Sequence, residues 1–442
     1  MPLLHQVPPR PGQKWAGPPP VWVVAGLVIF LLSLFRYWPV YGDMQVTPAG
    51  PETWNLAHNL REHGEFANPF MPLRTGPSAH LAPAFPAFLA LLTWVFGTHA
   101  AGAFAFHLAA ALAASILLAL FPLISERLGL GLAPGVVGAA AWLMGELPLF
   151  PNWEASYAGL LIAVAACLFR GLLGPGPPRL GTLVSLSLTM GVLLLLSPTS
   201  LPVLLCWIAW LTFKWKRALF RFPALFLILL PALMTAPWVI RNYLVFERFV
   251  LIRDNFGIEL SVSNNDCASF GLAANHQTGC FQKVHPNASE LEAVKVLLSG
   301  EVSYNDTRLR EARSWIGRNP GRFAGFVVQR AAAFWMPHEN EDFAAGAIEP
   351  GRRSERLTVY AMTLLSLFGC WLAARRDRVS AAVLASWLIL WPAAYYLVQY
   401  EDRYRYPIMW VTFLLGALPL SDVLKRTWLI VRDALDPRNG KS

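Results

Sequence analysis

Long apolar blocks recur along this chain, and they constrain its fold more than any other feature. Within the blocks, side chains are apolar on every side instead of at intervals of 2 or 3.6 residues, which is typical of helices surrounded by lipid. A first group occupies residues 21–41, 103–123, 131–151, 155–172, 180–196, 201–213 and 222–240, and a second group residues 357–374, 379–398 and 407–420. These blocks predict an all-α polytopic membrane protein with about ten spans.

Composition excludes the main alternative. Only 14% of the residues are charged, whereas a soluble domain carries about 25%. A soluble multidomain enzyme is therefore excluded.

Clusters of Lys and Arg predict which ends of the spans face the cytoplasm, because cytoplasmic loops carry an excess of both residues. The clusters are Arg10 and Lys14; Lys214, Lys216, Arg217 and Arg221; Arg375, Arg376 and Arg378; and Lys425, Arg426, Arg432, Arg438 and Lys441. With these on the inside, both termini are cytoplasmic, and residues 42–80 and 241–356 lie outside. The net charge of +9 then needs no nucleic acid, because anionic lipids of the inner leaflet attract basic loops.

One further apolar block, residues 81–96, has to be treated separately. The orientation above holds only if this block does not cross the membrane, and Pro83 and Pro86 near its start disfavour a regular span. We therefore predict an interfacial or re-entrant helix over residues 81–97.

The predicted organisation has five parts. They are a Pro-rich disordered head (residues 1–20), a seven-span core (21–240, including the outer loop 42–80), an α-rich outer domain (241–356), C-terminal spans (357–421) and a cytoplasmic tail (422–442). Within the outer domain, residues 287–299, 306–318 and 322–335 are expected to be helical.

The first outer loop carries two features with open interpretations. Asp43 directly follows the first span, and it is either a catalytic carboxylate facing a cavity or a solvated acid that ends the helix; position alone favours the second. Residues 52–64 predict a short amphipathic helix on the membrane surface, ended by Gly64. Its polar face either lines a cavity or meets water, and periodicity alone favours water.

The outer domain also holds two cysteines, Cys267 and Cys280. Oxidising conditions outside the cytoplasm permit a disulfide bond between them, and two free thiols are the alternative. Neither their spacing nor their neighbours indicate a metal site.

Four motifs occur in order along most of the chain. Asp43 precedes W-x-x-A-x-N-L-x-x-x-G at residues 54–64; G-P-x-A-x-x-A-P-x-x-P follows at 76–86, A-P-W-x-x-R-N-Y at 236–243 and R-Y-R-x-P-I at 403–408. In this order they resemble membrane glycosyltransferases of the GT-C superfamily. The resemblance is to bacterial family-39-like members related to dolichyl-phosphate-mannose protein mannosyltransferases and to the lipid A aminoarabinose transferase.

The resemblance implies a GT-C-like core of seven spans with surface-lying helices in the first outer loop, followed by about three C-terminal spans. It also implies transfer of a sugar from a polyprenyl-phosphate donor to an acceptor hydroxyl at the periplasmic face of a bacterial inner membrane, with inversion of configuration. The acceptor would be a saccharide, a lipid or a protein.

The same resemblance implies roles for particular residues. Asp43 is the expected general base. The family often has two adjacent acids after the first span, whereas this chain has Asp43-Met44-Gln45. That departure leaves Glu52 or Glu154 as the second carboxylate.

Arginine suits the departing phosphate, because its guanidinium binds two oxygens at once. The candidates are Arg403 or Arg405, and then Arg241. Further substrate-binding candidates are Asn55, Asn59, His80, Asn242, Arg253 and Asn265. A monophosphate leaving group requires no cofactor, although a divalent cation is compatible with the chemistry.

Two other functions fit a chain with many spans. A transporter or flippase of lipid-linked saccharides would need polar residues at mid-span to line a passage, and the predicted spans carry few. As a non-catalytic subunit of an envelope polysaccharide machine, the chain would have no reason to carry the four motifs together.

Overall fold

The structure of the protein, a computed structural model, describes residues 21–38, 50–70, 73–174, 178–214, 221–337 and 350–435. The described helices are α1 (Val21–Arg36), α2 (Pro51–His63), α3 (Ala84–Phe96), α4 (Ala100–Arg127), α5 (Leu132–Met144), α6 (Ala155–Leu172), α7 (Leu180–Leu196), α8 (Leu201–Lys214), α9 (Arg221–Phe246), α10 (Phe256–Ser263), α11 (Leu272–Gln277), α12 (Cys280–Val284), α13 (Glu290–Ser299), α14 (Glu301–Arg318), α15 (Pro320–Trp335), α16 (Pro350–Arg376), α17 (Arg378–Leu390) and α18 (Tyr406–Leu435).

Several of these helices are suited to a membrane. Among the described residues, those long and apolar enough to cross one are Ala100–Arg127, Ala155–Leu172, Leu225–Phe246, Arg353–Arg376 and Tyr406–Arg432. Helices α1, α3, α5, α7 and α17 are apolar but shorter. The prediction of an all-α polytopic membrane protein is confirmed.

Some predicted boundaries are wrong. The predicted spans 131–151 and 379–398 end earlier, with α5 at Met144 and α17 at Leu390. The apolar residues that follow lie in non-helical segments, where Leu147 and Trp391 are buried and several others are partly buried. Hydropathy does not distinguish such a buried segment from the end of a span. The first helix ends at Arg36, before the predicted position 41.

The last helix is longer than predicted, so residues 422–435 of the predicted tail are helical. Pro419 lies inside α18 and cannot donate a hydrogen bond to the carbonyl four residues earlier, which belongs to Leu415. That carbonyl faces Gly369 of α16, where a Cβ would lie only 1.9 Å from the Leu415 oxygen. The two helices therefore cross at a distance that only glycine permits, as small residues allow between membrane helices.

Gly369→Ala is expected to lower the free energy of unfolding by about 1–3 kcal/mol, the usual cost of overpacking. Thermal denaturation in detergent measures the effect. Gly181→Ala in α7 is the matched control, because a Cβ there meets nothing within 4 Å. Equal stability of both variants would show that α16 and α18 can separate at no cost.

The described residues between α9 and α16 belong to the segment predicted to be the outer domain, and they form helices α10 to α15. The helices expected in its second half are present as α13, α14 and α15 and begin at Glu290, Glu301 and Pro320. Helix α10 was not predicted. It depends on tertiary contacts, since Asn305 of α14 accepts a hydrogen bond from the backbone N–H of Ile258 (2.9 Å).

The two outer segments are bound to each other around Ala79. A carboxylate oxygen of Glu301 accepts a hydrogen bond from the Ala79 N–H (2.6 Å), and the Asp254 N–H donates to the Ala79 carbonyl (2.8 Å). The first outer loop is thereby held against α14 and against the segment that precedes α10.

Helix α3, predicted to be interfacial, packs along α2 and joins α4 through a short turn. Near its start, Phe85 contacts Phe106 in the second turn of α4 (ring centroids 6.0 Å apart). Both ends of α3 therefore lie near the same end of α4, which is compatible with an interfacial or re-entrant helix. Its depth in a bilayer stays a prediction.

Basic residues lie at one end of α6 and α17, with Arg170 in the last turn of α6 and Arg378 at the start of α17. Arg170 near the end of α6 pairs with Asp377 at the start of α17 (Nη2–Oδ2 2.6 Å). Ala155 at the start of α6 and Leu390 at the end of α17 line a cavity. The cavity and the ion pair between Arg170 and Asp377 thus lie at opposite ends of both helices.

Candidate functional site

A cavity of about 1090 Å³ lies where the non-basic ends of the helices meet the outer domain. Its walls come from the first turn of α2, the segment before α3, the loop between α5 and α6, the turn between α7 and α8, helices α10, α11 and α12, and the segment between α17 and α18. These elements are far apart in sequence, so the cavity exists only in the folded chain.

Two arginines and several carboxylates share this cavity. The carboxylates of the described lining include Glu52, Glu154, Glu259 and Glu401, and the arginines are Arg253 and Arg403. Five of the predicted site residues are therefore brought together: Glu52, His80, Glu154, Arg253 and Arg403.

Arg403 is held from two sides. Its Nε lies 2.6 Å from Oε2 of Glu401, and its side chain is 17% exposed. The guanidinium also lies over the Trp153 ring, 3.2 Å from the ring centroid. Burial disfavours the charge of Arg403, but Glu401 and the other acidic neighbours outweigh it and raise the pKa. Arg403 is therefore a fixed positive charge.

Arg253, unlike Arg403, has no carboxylate partner among the described residues. Its Nε is buried without a hydrogen-bond partner, and within the described ranges no carboxylate lies close enough for an ion pair. A guanidinium that lines a cavity and lacks local partners is available to bind an anion.

The carboxylates differ in their surroundings. Burial, followed by repulsion from Glu259, raises the pKa of Glu52 to about 7, although Arg403 acts in the opposite direction. Burial also raises the pKa of Glu259, which accepts a hydrogen bond from Asn255 (3.3 Å). Glu52 is consequently close to half-protonated at neutral pH, a state that suits a general base or acid.

Residues at the ends of several apolar helices form an apolar wall of the cavity. It contains Phe85, Leu196, Leu201 and Trp391, and it adjoins the polar groups directly. A cavity with one charged and one apolar part can bind an amphiphile with an anionic head.

Asp43, the expected general base, lies outside the described residues. Two other predicted residues, Asn55 and Asn59, do not line the cavity. Asn55 donates to the Pro69 carbonyl (2.9 Å), and Asn59 donates to the Asn55 carbonyl (2.9 Å). Asn59 also accepts a hydrogen bond from Asn68 (3.1 Å), so both side chains connect α2 to the loop that follows it.

Arg405 and Arg241 also have structural partners. Arg405 is 1% exposed and donates to the Trp335 carbonyl (2.7 Å) and to Thr363 Oγ1 (2.6 Å). Arg241 donates to the carbonyls of Phe66 and Ser78, and neither guanidinium is part of the cavity wall. Since sequence does not show where a side chain points, it could not separate these arginines from Arg403.

The remaining candidates belong to the framework around the site. Asn242 donates to the Val250 carbonyl (3.2 Å). Asn265 donates to the Ser261 carbonyl (3.0 Å) and accepts from the Cys267 N–H (3.0 Å). Cys267 and Cys280 form a disulfide bond.

Three residues of the cavity, Glu259, Glu401 and His285, were not predicted as site residues. Glu401 adjoins Arg403 in a dense cluster of charges, and Glu259 follows Arg253 in a polar stretch, so a signal existed for both. Nothing in the sequence marked His285. Within the described ranges, no three His, Cys, Asp or Glu side chains are arranged to hold a metal ion, and metal dependence stays a prediction.

No protein-family model and no curated protein sequence matches the chain. Solved structures do match. The oligosaccharyltransferase of Archaeoglobus fulgidus in its apo form aligns with a TM-score of 0.56 and 15% identity, over 96% of this chain and 53% of that chain. AglB from Archaeoglobus fulgidus, bound to an inhibitory peptide and a dolichol-phosphate, aligns with a TM-score of 0.54 and 14% identity, over 96% and 53%. The oligosaccharyltransferase in complex with zinc and sulfate aligns with a TM-score of 0.51 and 16% identity, over 95% and 52%.

At these identities the likeness is one of fold. The chain shares the fold of these archaeal membrane enzymes, as the resemblance carried by its four motifs led us to expect, and it spans about half of their length.

Proposed function

We propose that this chain is a glycosyltransferase that moves a sugar from a polyprenyl-phosphate donor to an acceptor hydroxyl at the extracytoplasmic face of a bacterial inner membrane. The observation that carries the proposal is the cavity in which Arg253 and Arg403 adjoin carboxylates and an apolar wall. The basic residues at the opposite ends of the helices support an outer location for this cavity.

The two arginines would bind the donor phosphate. Arg253 has no local hydrogen-bond partner in the described part of the chain, and Arg403 keeps its charge beside Glu401. Guanidinium groups bind phosphate oxygens in pairs, and the apolar wall beside them would take the first part of the polyprenyl chain.

The reaction forms one bond and breaks one. The acceptor oxygen attacks the anomeric carbon from the face opposite the phosphate, and the bond between that carbon and the phosphate oxygen breaks with its electrons going to the phosphate. The arginines stabilise the charge that develops there. The proton of the acceptor hydroxyl passes to a carboxylate of the site, for which Asp43, Glu52 and Glu154 are the candidates.

The likeness to AglB supports the donor class. The structure of that archaeal enzyme contains a dolichol-phosphate, a polyprenyl monophosphate lipid of the kind proposed here. Because the chain spans about half of AglB, the acceptor is proposed more broadly as a saccharide, a lipid or a protein.

The test uses purified protein in liposomes with a panel of radiolabelled polyprenyl-phosphate sugars and a membrane extract as the acceptor source. Wild type is expected to transfer label from one donor, and a variant with both Arg253→Ala and Arg403→Ala is expected to transfer none. Binding of a donor without any transfer to water, extract or generic acceptor would instead indicate a transporter or a non-catalytic subunit.

A further inference from the structure

One part of the cavity wall is built from histidine and phenylalanine rings. His276, Phe281 and His285 all line the cavity and form a stack. The Phe281 ring lies 4.0 Å from His276 and 4.5 Å from His285 between ring centroids, with interplanar angles of 28° and 12°. His80, from the other outer segment, stands at 77° to His285 with the ring centroids 6.5 Å apart.

The position of this wall is set by one disulfide bond and one backbone hydrogen bond. The disulfide to Cys267 holds Cys280, the first residue of α12, and so places Phe281 beside it. At the start of α11, the Leu272 N–H donates to the Tyr400 carbonyl (3.0 Å), and Tyr400 is three residues before Arg403. The wall of histidine and phenylalanine rings is thus fixed relative to Arg403.

Both facing imidazoles are neutral. Burial, followed by the proximity of Arg253 and of His285, lowers the pKa of His80. Burial also lowers the pKa of His285 to about 3. Neutral imidazole has one donor and one acceptor nitrogen, so this wall matches hydroxyl groups and not a second phosphate.

The hydrogen-bonding capacity of the two rings is only partly used. His285 Nδ1 accepts from the Asn287 N–H (3.1 Å), which leaves its proton on Nε2 as a donor. His80 is 2% exposed, and its Nδ1 is buried without a hydrogen-bond partner. A buried polar atom without a partner beside a cavity indicates a ligand group that completes it.

We propose that His80 and His285 form a subsite for a sugar ring, in which their free nitrogens hydrogen-bond the ring hydroxyls while Phe281 and the disulfide hold the wall in place. The subsite rests on the proposed function and assigns the saccharide part of the substrate to this wall. Two sources supply the same chemistry, the sugar of the donor and a saccharide acceptor.

The test compares His80→Leu and His285→Phe with wild type. Leucine fills the buried site without polar atoms, and phenylalanine preserves the stack on Phe281. Each variant is expected to weaken sugar binding about 3- to 10-fold, the effect of one lost hydrogen bond. His58→Ala is the matched control, because His58 is an exposed outer histidine that does not line the cavity.

Two measurements separate the sources. If the acceptor sugar binds here, the KM for acceptor rises while hydrolysis of the donor by water is unchanged. If the donor sugar binds here, affinity for the sugar-bearing donor falls while affinity for undecaprenyl phosphate without a sugar is unchanged. Either result supports the subsite.

Other results overturn it. Unchanged parameters in both variants would show that the histidines do not contact sugar. An equal loss of affinity for undecaprenyl phosphate would show that they act on the lipid phosphate or on the shape of the cavity.

If wild type transferred no sugar at all, the proposed function would be refuted, but the subsite would still have to be tested separately. Direct binding of a panel of methyl glycosides would then decide the subsite. Binding to wild type that both variants lose would support the subsite without the reaction, and no binding to wild type would overturn it.

Discussion

Replacement of Arg253 or Arg403 by alanine is expected to lower the rate of sugar transfer by about 10²–10³-fold, the usual cost of removing one group that stabilises charge in a transition state. Both guanidiniums line the cavity. The charge that they meet develops on the phosphate as the glycosidic bond breaks, so kcat should fall more than donor affinity.

The two variants should differ in stability. Arg253 makes no ion pair within the described residues, so its loss leaves no partner behind. Removal of Arg403 leaves the Glu401 carboxylate, which lies 2.6 Å from Arg403 Nε, without its counter-charge. Arg403→Ala should therefore also lower the melting temperature, and Arg253→Ala should not.

Transfer assays and thermal denaturation in the same detergent measure these effects. Arg313→Ala is the matched control, because Arg313 is exposed on α14 and does not line the cavity. Arg403→Lys retains the charge but loses the planar fork, so partial recovery of the rate is expected. Full activity of Arg253→Ala and Arg403→Ala would refute the assignment of the donor phosphate to these arginines.

Replacement of the general base by its amide is expected to lower the transfer rate by about 10²–10⁴-fold. Three carboxylates are candidates, so Asp43→Asn, Glu52→Gln and Glu154→Gln are compared. Glu62→Gln is the control, since Glu62 belongs to the same helix as Glu52 but has a side chain that is 41% exposed. If all three variants kept the wild-type rate, none of these carboxylates would be the base.

The pH dependence distinguishes the candidates further. A base must be deprotonated, so activity rises as pH increases through its pKa. Because burial and Glu259 raise the pKa of Glu52 to about 7, catalysis by Glu52 predicts a rate that increases between roughly pH 6 and 8. An aspartate with an ordinary pKa of about 3.9 would leave the rate flat over that interval.

Much of the fold could be predicted from the sequence. The blocks at 155–172 and 180–196 coincide with α6 and α7, and the surface helix predicted at 52–64 is α2. These elements are determined by local composition, because a helix in lipid satisfies its own backbone and needs only an apolar surface. The prediction failed at 145–151 and 391–398, where partly buried non-helical segments carry enough apolar residues to resemble the end of a span.

The candidate site was predictable only in part. Arg403 and Arg405 occur in one motif and have the same chemistry, yet one lines the cavity and the other binds Trp335 and Thr363. Glu52 and Glu154 were candidates by residue type alone, whereas the raised pKa of Glu52 arises first from burial and then from Glu259, which is more than 200 residues away in sequence.

By itself, the sequence determined the membrane class, the all-α fold, most of the spans and the motifs that predicted a GT-C fold, because each depends on the local pattern of apolar residues or on short motifs. Only the tertiary structure decided which side chains share the cavity, which arginines are free to bind an anion and which histidines face one another. Those properties depend on distances between segments that are remote in sequence and on burial, which exist only after the helices have packed.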